Sequence, residues 1–275
     1  MLRMIVLTAA TVAAAALAGC ANPRLTTSTG PLAFGPEPVV NVSESVMGFP
    51  GERKGLAGRT LHVKSLSDLK LARNEVVLTF DDGPIPNKTQ AILDALDKHE
   101  VKATFLMVGT MARSYPSLVR EVAAQGHAIG THTESHKNLA LLSHDNAMAE
   151  IAQGRQSVAA ALIPTGFKPA PFFRFPYLAD TPHLRNNLAN RGIVVIDVDV
   201  DSKDYFISTP DQVRHRTIAR LEEKGAGIIL LHDLHKRTVA MLPQLLDDLH
   251  ARGYKVVNLQ PARSPAHELL ATLVN

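Results

Sequence analysis

The sequence predicts an α/β fold in which about seven parallel strands close into a barrel-like (β/α) array. Apolar runs of β type alternate with helical stripes from Glu75 to Leu259. The near-regular spacing of the runs favours closure over an open doubly wound sheet. The first run ends in Asp81-Asp82, where a nucleotide-binding sheet would carry a glycine-rich loop.

Each element has a local reason. Glu75 to Phe80 is the first strand, and Ala91, Ile92, Leu93 and Leu96 mark one face of a helix through Lys88 to His99. Ala103 to Val108 is the second strand, followed by a helix with Leu118, Val119, Val122 and Ala123 that Gly126 stops. His127 to Gly130 is the third strand and a helix runs from about Ser143 to Leu162. A brief fourth strand, Phe172 to Arg174, precedes a helix from Pro182 to Asn190, and Gly192 to Val198 is the fifth. Thr209, Pro210 and Gln212 spell a helix start, with Thr209 as cap and Gln212 reaching back. Gly227 to Leu231 and Lys255 to Leu259 are the last two strands, separated by a helix bearing Leu242, Leu245, Leu246 and Leu249.

The ends of the chain read differently. Residues 1–19 have Arg3, an apolar run and Leu17-Ala18-Gly19 before Cys20, the pattern of an export signal, too short for a spanning helix of about 20 residues. Its end resembles a bacterial lipobox. That implies cleavage before Cys20, lipid on its sulfur, and a protein anchored in the cell envelope, at the outer membrane facing the periplasm where there are two membranes. Cys20 is the only cysteine, so no internal disulfide forms. Residues 20–73 are rich in Gly-Pro punctuation and read as a tether and irregular extension, with a short strand at Leu61-His62-Val63; residues 261–275 read as a tail. A formal charge of +3, with no basic run interleaved with aromatics, argues against a nucleic-acid partner.

Polar residues gather after the strand ends, where barrels of this class carry their chemistry: Asp81 and Asp82, His132 and His136, Arg174, four aspartates from Asp197 to Asp204, then His232 and Asp233. Two imidazoles four positions apart plus one carboxylate make a divalent-metal set with open positions, zinc being the default. Glu134 between them does not make a zinc-protease signature, because the His-Glu-x-x-His order is absent.

Five ordered stretches, Thr79-Phe80-Asp81-Asp82-Gly83, His132-Thr133-Glu134-Ser135-His136, Arg174-Phe175-Pro176-Tyr177, Asp201-Ser202-Lys203-Asp204-Tyr205 and Leu230-Leu231-His232, resemble the motifs of the polysaccharide deacetylase (NodB homology) family, carbohydrate esterase family 4. The resemblance runs from Asn74 to Leu259, within a domain of residues 74–260. It implies a distorted (β/α) barrel that removes acetyl groups from N-acetylated sugars with one divalent metal. Carried over residue by residue, it makes Asp82, His132 and His136 the metal ligands and Asp81 the general base, aimed by Arg174. The backbone amide of Tyr177 becomes the oxyanion donor, His232 the acid oriented by Asp201, and Leu230 the lining of the acetyl slot. The expected partner is an extracytoplasmic N-acetylated polymer or oligomer. An O-acetyl esterase and an inactive glycan-binding lipoprotein are the competing readings. The chain departs from the family pattern twice: Tyr205 stands where a tryptophan is usual, in the wall of the sugar groove, and Leu178 where glycine often follows the tyrosine.

Overall fold

A computed structural model describes residues 55–262 of the chain. Its strands are β1 (Ala57–Val63), β2 (Glu75–Asp81), β3 (Thr104–Met107), β4 (Ala128–Thr131), β5 (Phe172–Phe173), β6 (Val194–Val195), β7 (Val200–Asp201), β8 (Gly227–His232) and β9 (Lys255–Pro261). Its helices are α1 (Lys88–Lys98), α2 (Gly109–Ser114), α3 (Pro116–Ala124), α4 (His144–Leu162), α5 (Pro182–Asn190), α6 (Pro210–Lys224) and α7 (Lys236–Ala251). Every ladder between these strands is parallel.

β2 is the strand on which the sheet is built. One edge pairs with β8 along Val76 to Asp81; the other is shared, with β9 opposite Glu75 and Val76 and β3 opposite Thr79 to Asp81. From β2 the sheet continues through β3, β4, β5 and β6 on one side and through β8 to β7 on the other. Among the described residues no ladder joins β6 to β7, so the barrel is open there, the distortion the sequence resemblance implies.

Strand alternation decides what faces where. Val76, Leu78 and Phe80 of β2 pack outward with Ile92, Leu96, Leu242 and Leu245 of the helices. Val77 faces inward with Leu106, Ala128, Phe172, Ile228 and Leu259. Thr79 and Asp81 share the inward side with Val77, so the interior is apolar below and polar at the rim where strand C-termini end.

Three sequence expectations are corrected by the ladder. The segment expected to be irregular up to residue 73 contributes β1, which begins at Ala57, not Leu61, and pairs with β9. Its half-exposed residues give little apolar signal, and Gly58 is required because a Cβ there would lie 2.8 Å from the Val256 carbonyl oxygen. The fifth run, expected over Gly192 to Val198, is a strand only at Val194–Val195, which pairs with β5, and an unexpected strand beyond it, Val200–Asp201, pairs with β8. With β1 and β7 added, nine strands stand where about seven were expected. The expected export signal, Cys20 and most of the tail lie outside the described residues.

Candidate active site

Asp81 is the last residue of β2, in register with His232 at the end of β8. Neighbouring residues of a strand point to opposite faces, yet Asp82 also turns into the pocket because its backbone is left-handed, with φ 80°. The turn is pinned by Asp82 N donating to Leu106 O (3.3 Å) and Val108 N donating to Gly83 O (3.2 Å). A side chain on Gly83 would overlap the Asp233 carboxylate, which takes a hydrogen bond from Thr89 Oγ1 at 2.6 Å.

The loop after β4 supplies both imidazoles. His136 N donates to Thr133 Oγ1 (3.0 Å), and both residues have positive φ, 57° and 65°. One face of α4 grips this loop. Glu150 accepts from Ser135 N (3.0 Å) and Ser135 Oγ (2.9 Å) and pairs with Lys137 (2.7 Å). Gly154 lets the Thr133 carbonyl lie where a Cβ would overlap it, and Ser157 donates to Glu134 (2.8 Å), which also pairs with Arg113. Glu134 therefore points away from the pocket, into the contact between α2 and α4. These two buried carboxylates are positioning groups that the motif alone does not disclose.

His132 Nε2 and His136 Nε2 approach Asp82 Oδ1 to 3.5 and 3.2 Å, and the three donors lie within 4.8 Å of one another. Asp82 Oδ1 is buried and makes no hydrogen bond. His132 Nδ1 donates to the Arg174 carbonyl (2.8 Å), which leaves Nε2 as the lone-pair donor toward Asp82. Burial keeps the His132 imidazole down and neutral. Burial pushes the Asp82 carboxyl up, but His136 and the other imidazoles outweigh it and hold it at about 2. An ionised carboxylate and a neutral imidazole, converging without a proton between them, fit a divalent cation.

Arg174 is the largest fully buried side chain among the described residues, 1 % exposed. Its Nη1 donates to Asp81 Oδ1 (2.7 Å) and Thr79 Oγ1 (2.8 Å), its Nε to Ile196 O (3.0 Å) and its Nη2 to Asp197 O (3.2 Å). Asp81 Oδ2 is left facing His132 Nε2 at 3.8 Å. The following turn carries Tyr177 and Leu178 at φ 59° and 54°, so the expected glycine conformation is kept although the residue is leucine. The Tyr177 ring meets His136 edge-on at 4.7 Å.

The expected pairing of His232 with Asp201 is corrected. His232 Nδ1 donates to Asp204 Oδ1 at 2.7 Å, and its backbone N donates to Asp204 Oδ2 at 2.7 Å. Asp204 is wholly buried and also takes the Thr238 hydroxyl (2.6 Å). Asp201 instead accepts the Tyr205 hydroxyl on Oδ2 (2.7 Å) and Lys203 N on Oδ1 (2.8 Å). Both aspartates lie in one stretch; the loop fold, with Lys203 at φ 53°, decides which reaches the imidazole. Burial pulls the His232 ring down, but Asp204, with Asp81 and Asp82, outweighs it and lifts it to about 9.

These groups line one cavity of about 340 Å³, which Asp81, Asp82, His132, His136, His232 and Leu230 all face. A wider depression of about 480 Å³ lies over Arg113, Glu134 and Ser157, whose polar groups are spent on one another.

Comparison with known proteins places this arrangement. The family model "Polysaccharide deacetylase" matches residues 68–196. A chitin deacetylase of Colletotrichum lindemuthianum is 34 % identical over 206 residues, 70 % of this chain and 81 % of that protein. The chain belongs to the polysaccharide deacetylase family. The family makes it a deacetylase-type hydrolase. The peptidoglycan-N-acetylglucosamine deacetylase PgdA of Listeria monocytogenes is 32 % identical over 184 residues, but those span only 38 % of that longer protein. Among solved structures, a peptidoglycan deacetylase of Bdellovibrio bacteriovorus superposes with a TM-score of 0.65 at 35 % identity, covering 78 % of this chain and 59 % of that one.

Proposed function

We propose that this deacetylase removes N-acetyl groups from an extracytoplasmic glycan built of N-acetylated sugars, with one divalent cation, zinc, held by Asp82, His132 and His136. The names of its relatives, chitin and peptidoglycan deacetylases, support the substrate class. The observation that carries the reading is that two separately fixed proton carriers line the same cavity as the three donors: Asp81 fixed by Arg174, and His232 fixed by Asp204.

When bound, the cation supplies Lewis-acid polarisation of the acetyl carbonyl and eases ionisation of water. Asp81 takes the proton of the attacking water; its Oδ1 is tied to Arg174, so Oδ2 is the oxygen free to act. The backbone amide of Tyr177 donates to the oxygen on which charge develops. His232 is protonated at neutral pH, being lifted to about 9, and gives its proton to the departing amine while Asp204 holds the ring. Leu230 lines the slot for the acetyl methyl.

The test is acetate release by the purified protein from N-acetylglucosamine oligomers, peptidoglycan and O-acetylated xylan, with and without chelator and after zinc is restored. Release from the N-acetylated substrates that chelation stops and zinc returns supports the reading. Turnover of the ester alone would replace it with the esterase. Anchoring through lipid on Cys20 is part of the same proposal, and labelled fatty acid should enter the wild-type chain but not Cys20→Ser.

A further inference from the structure

Beyond Ser202, whose N donates to Leu230 O of β8 (3.3 Å), the chain leaves the sheet, and up to the start of α6 it is neither strand nor helix. Its amides are satisfied from within: Lys203 N donates to Asp201 Oδ1 (2.8 Å), Asp204 N to Ser202 Oγ (3.3 Å) and Phe206 N to Lys203 O (3.2 Å). Four of its carbonyls turn the other way, and a carbonyl turned from water needs a donor. Three guanidiniums supply it. Arg216 Nε donates to Ser202 O (3.0 Å) and its Nη2 to Ser208 Oγ (3.3 Å), Arg220 Nη1 donates to Asp201 O, and Arg237 Nη1 donates to both Asp204 O (2.9 Å) and Phe206 O. Arg216 and Arg220 stand one turn apart on α6. Arg237 is in the first turn of α7, beside Thr238, whose hydroxyl reaches Asp204 Oδ2 at 2.6 Å. The two helices are tied to each other by Arg214 with Asp248 and by Arg252 with Glu222. None of these three loop-holding arginines lines the catalytic cavity.

We infer that Arg237, backed by Arg216 and Arg220, is a positioning residue for the proton donor: it holds the main chain of Asp204, and through Asp204 it holds the His232 ring. This rests on the reading of the protein as a deacetylase with His232 as its acid, and adds the support on which that acid depends. Asp204 is gripped at both ends by one turn of α7, its carboxylate by Thr238 and its carbonyl by Arg237. A planar guanidinium fixes the direction of what it holds, whereas an ammonium on a flexible stem supplies charge without direction. Charge and placement have opposite consequences for the acid. A cation acting by its charge would lower the proton affinity of the ring, so its removal would raise that affinity; a cation acting by placement keeps Asp204 against the ring, so its removal lowers it.

The test is steady-state kinetics on N-acetylglucosamine tetramer with the zinc-loaded wild type, Arg237→Ala, Arg237→Lys, Asp204→Asn and the double variant of Arg237→Ala with Asp204→Asn, together with NMR titration of His232 in the same proteins. Arg237→Ala should lower kcat about 10- to 100-fold and leave KM within about twofold, the mark of a misplaced group that does not bind substrate. Zinc should stay at one per chain, and the His232 pKa should fall by about one unit from that of the wild type. Arg237→Lys should resemble Arg237→Ala, because it keeps the charge and loses the fork. In the double variant the combined loss should be smaller than the product of the two single losses, since the arginine acts through that carboxylate. An unchanged kcat in Arg237→Ala, a rise in the His232 pKa, full rescue by lysine, or losses that multiply would each overturn the inference. Should the alanine variant not fold, Arg237→Gln carries the same comparison, and an unchanged kcat and His232 pKa there overturn it equally. Failure of the wild type to release acetate from any N-acetylated glycan overturns the deacetylase reading instead, and the His232 titration reads the support independently of turnover.

Discussion

Asp204 and His232 are joined twice, ring Nδ1 to Oδ1 and backbone N to Oδ2, each at 2.7 Å. One bond orients the ring and the other ties the end of β8 to the loop after β7, so ring position and local backbone are set by one carboxylate.

Asp204→Asn keeps the shape and loses the charge. It should lower kcat/KM by roughly 10²-fold, the scale of one general acid, and bring the His232 pKa, read by NMR, down from about 9. Asp201→Asn should leave that pKa in place.

The metal-free protein should show three pH windows in its thermal stability. His232 is raised, so its contribution, about 3 kcal/mol, is complete below pH 6.5 and lost as pH rises through about 9. Burial, aided by the charges of Asp82 and Asp81, raises Asp233 to about 7 against the Thr89 hydrogen bond, so its contribution is likewise lost, between about 3.8 and 7. Asp82 is depressed, so its contribution is present above 3.8 and lost as pH falls through about 2. Denaturation followed from pH 2 to 10 tests this, and Asp233→Asn should flatten the slope between pH 4 and 7.

The grip of α4 on the histidine loop should appear in metal affinity. Glu150→Ala frees Ser135 and Lys137 together, and zinc affinity by competitive chelator titration should fall about 10- to 100-fold. Gly154→Ala forces the Thr133 carbonyl to move and should weaken zinc binding too. Affinity equal to wild type in both would show that the loop holds its shape unaided.

Asp81→Asn should abolish turnover, below about 10⁻³ of wild type, while zinc content by elemental analysis stays at one per chain. Loss of the metal along with activity would mean that Asp81 serves as a ligand.

Leu178 at φ 54° carries about 1–2 kcal/mol of left-handed strain. Glycine removes the strain but costs roughly 0.4–1 kcal/mol through the freer unfolded chain. Leu178→Gly should therefore gain about 0.5–1 kcal/mol, read from denaturant midpoints.

What was legible in the sequence was what local chemistry determines. The cap of α6 is as spelled, Thr209 Oγ1 accepting Gln212 N (3.2 Å) and Gln212 Oε1 accepting Thr209 N (2.9 Å), because every atom involved lies within four residues. The grouping of Asp82 with His132 and His136 was legible because each follows a strand, and the strand ends share a rim. The choice between Asp201 and Asp204 was not, since Asp201 ends β7 and Asp204 lies three residues on, and only the turn at Lys203 separates their directions. Nor was β1, whose pairing with β9 joins residues about two hundred positions apart and leaves little periodic trace. Short α2 lacks enough turns to show a stripe, yet its first residues donate to the Thr133 and Glu134 carbonyls (2.9 Å each).

The buried guanidinium ties the residues that follow β6, through the Ile196 and Asp197 carbonyls, to Thr79 and Asp81 of β2 across the interior. Aiming the base and tying the exit of β6 to β2 are thus the same side chain's work. A descendant of this protein cannot shed Arg174 and keep its shape, because truncating one partner of a buried ion pair costs about 3–5 kcal/mol.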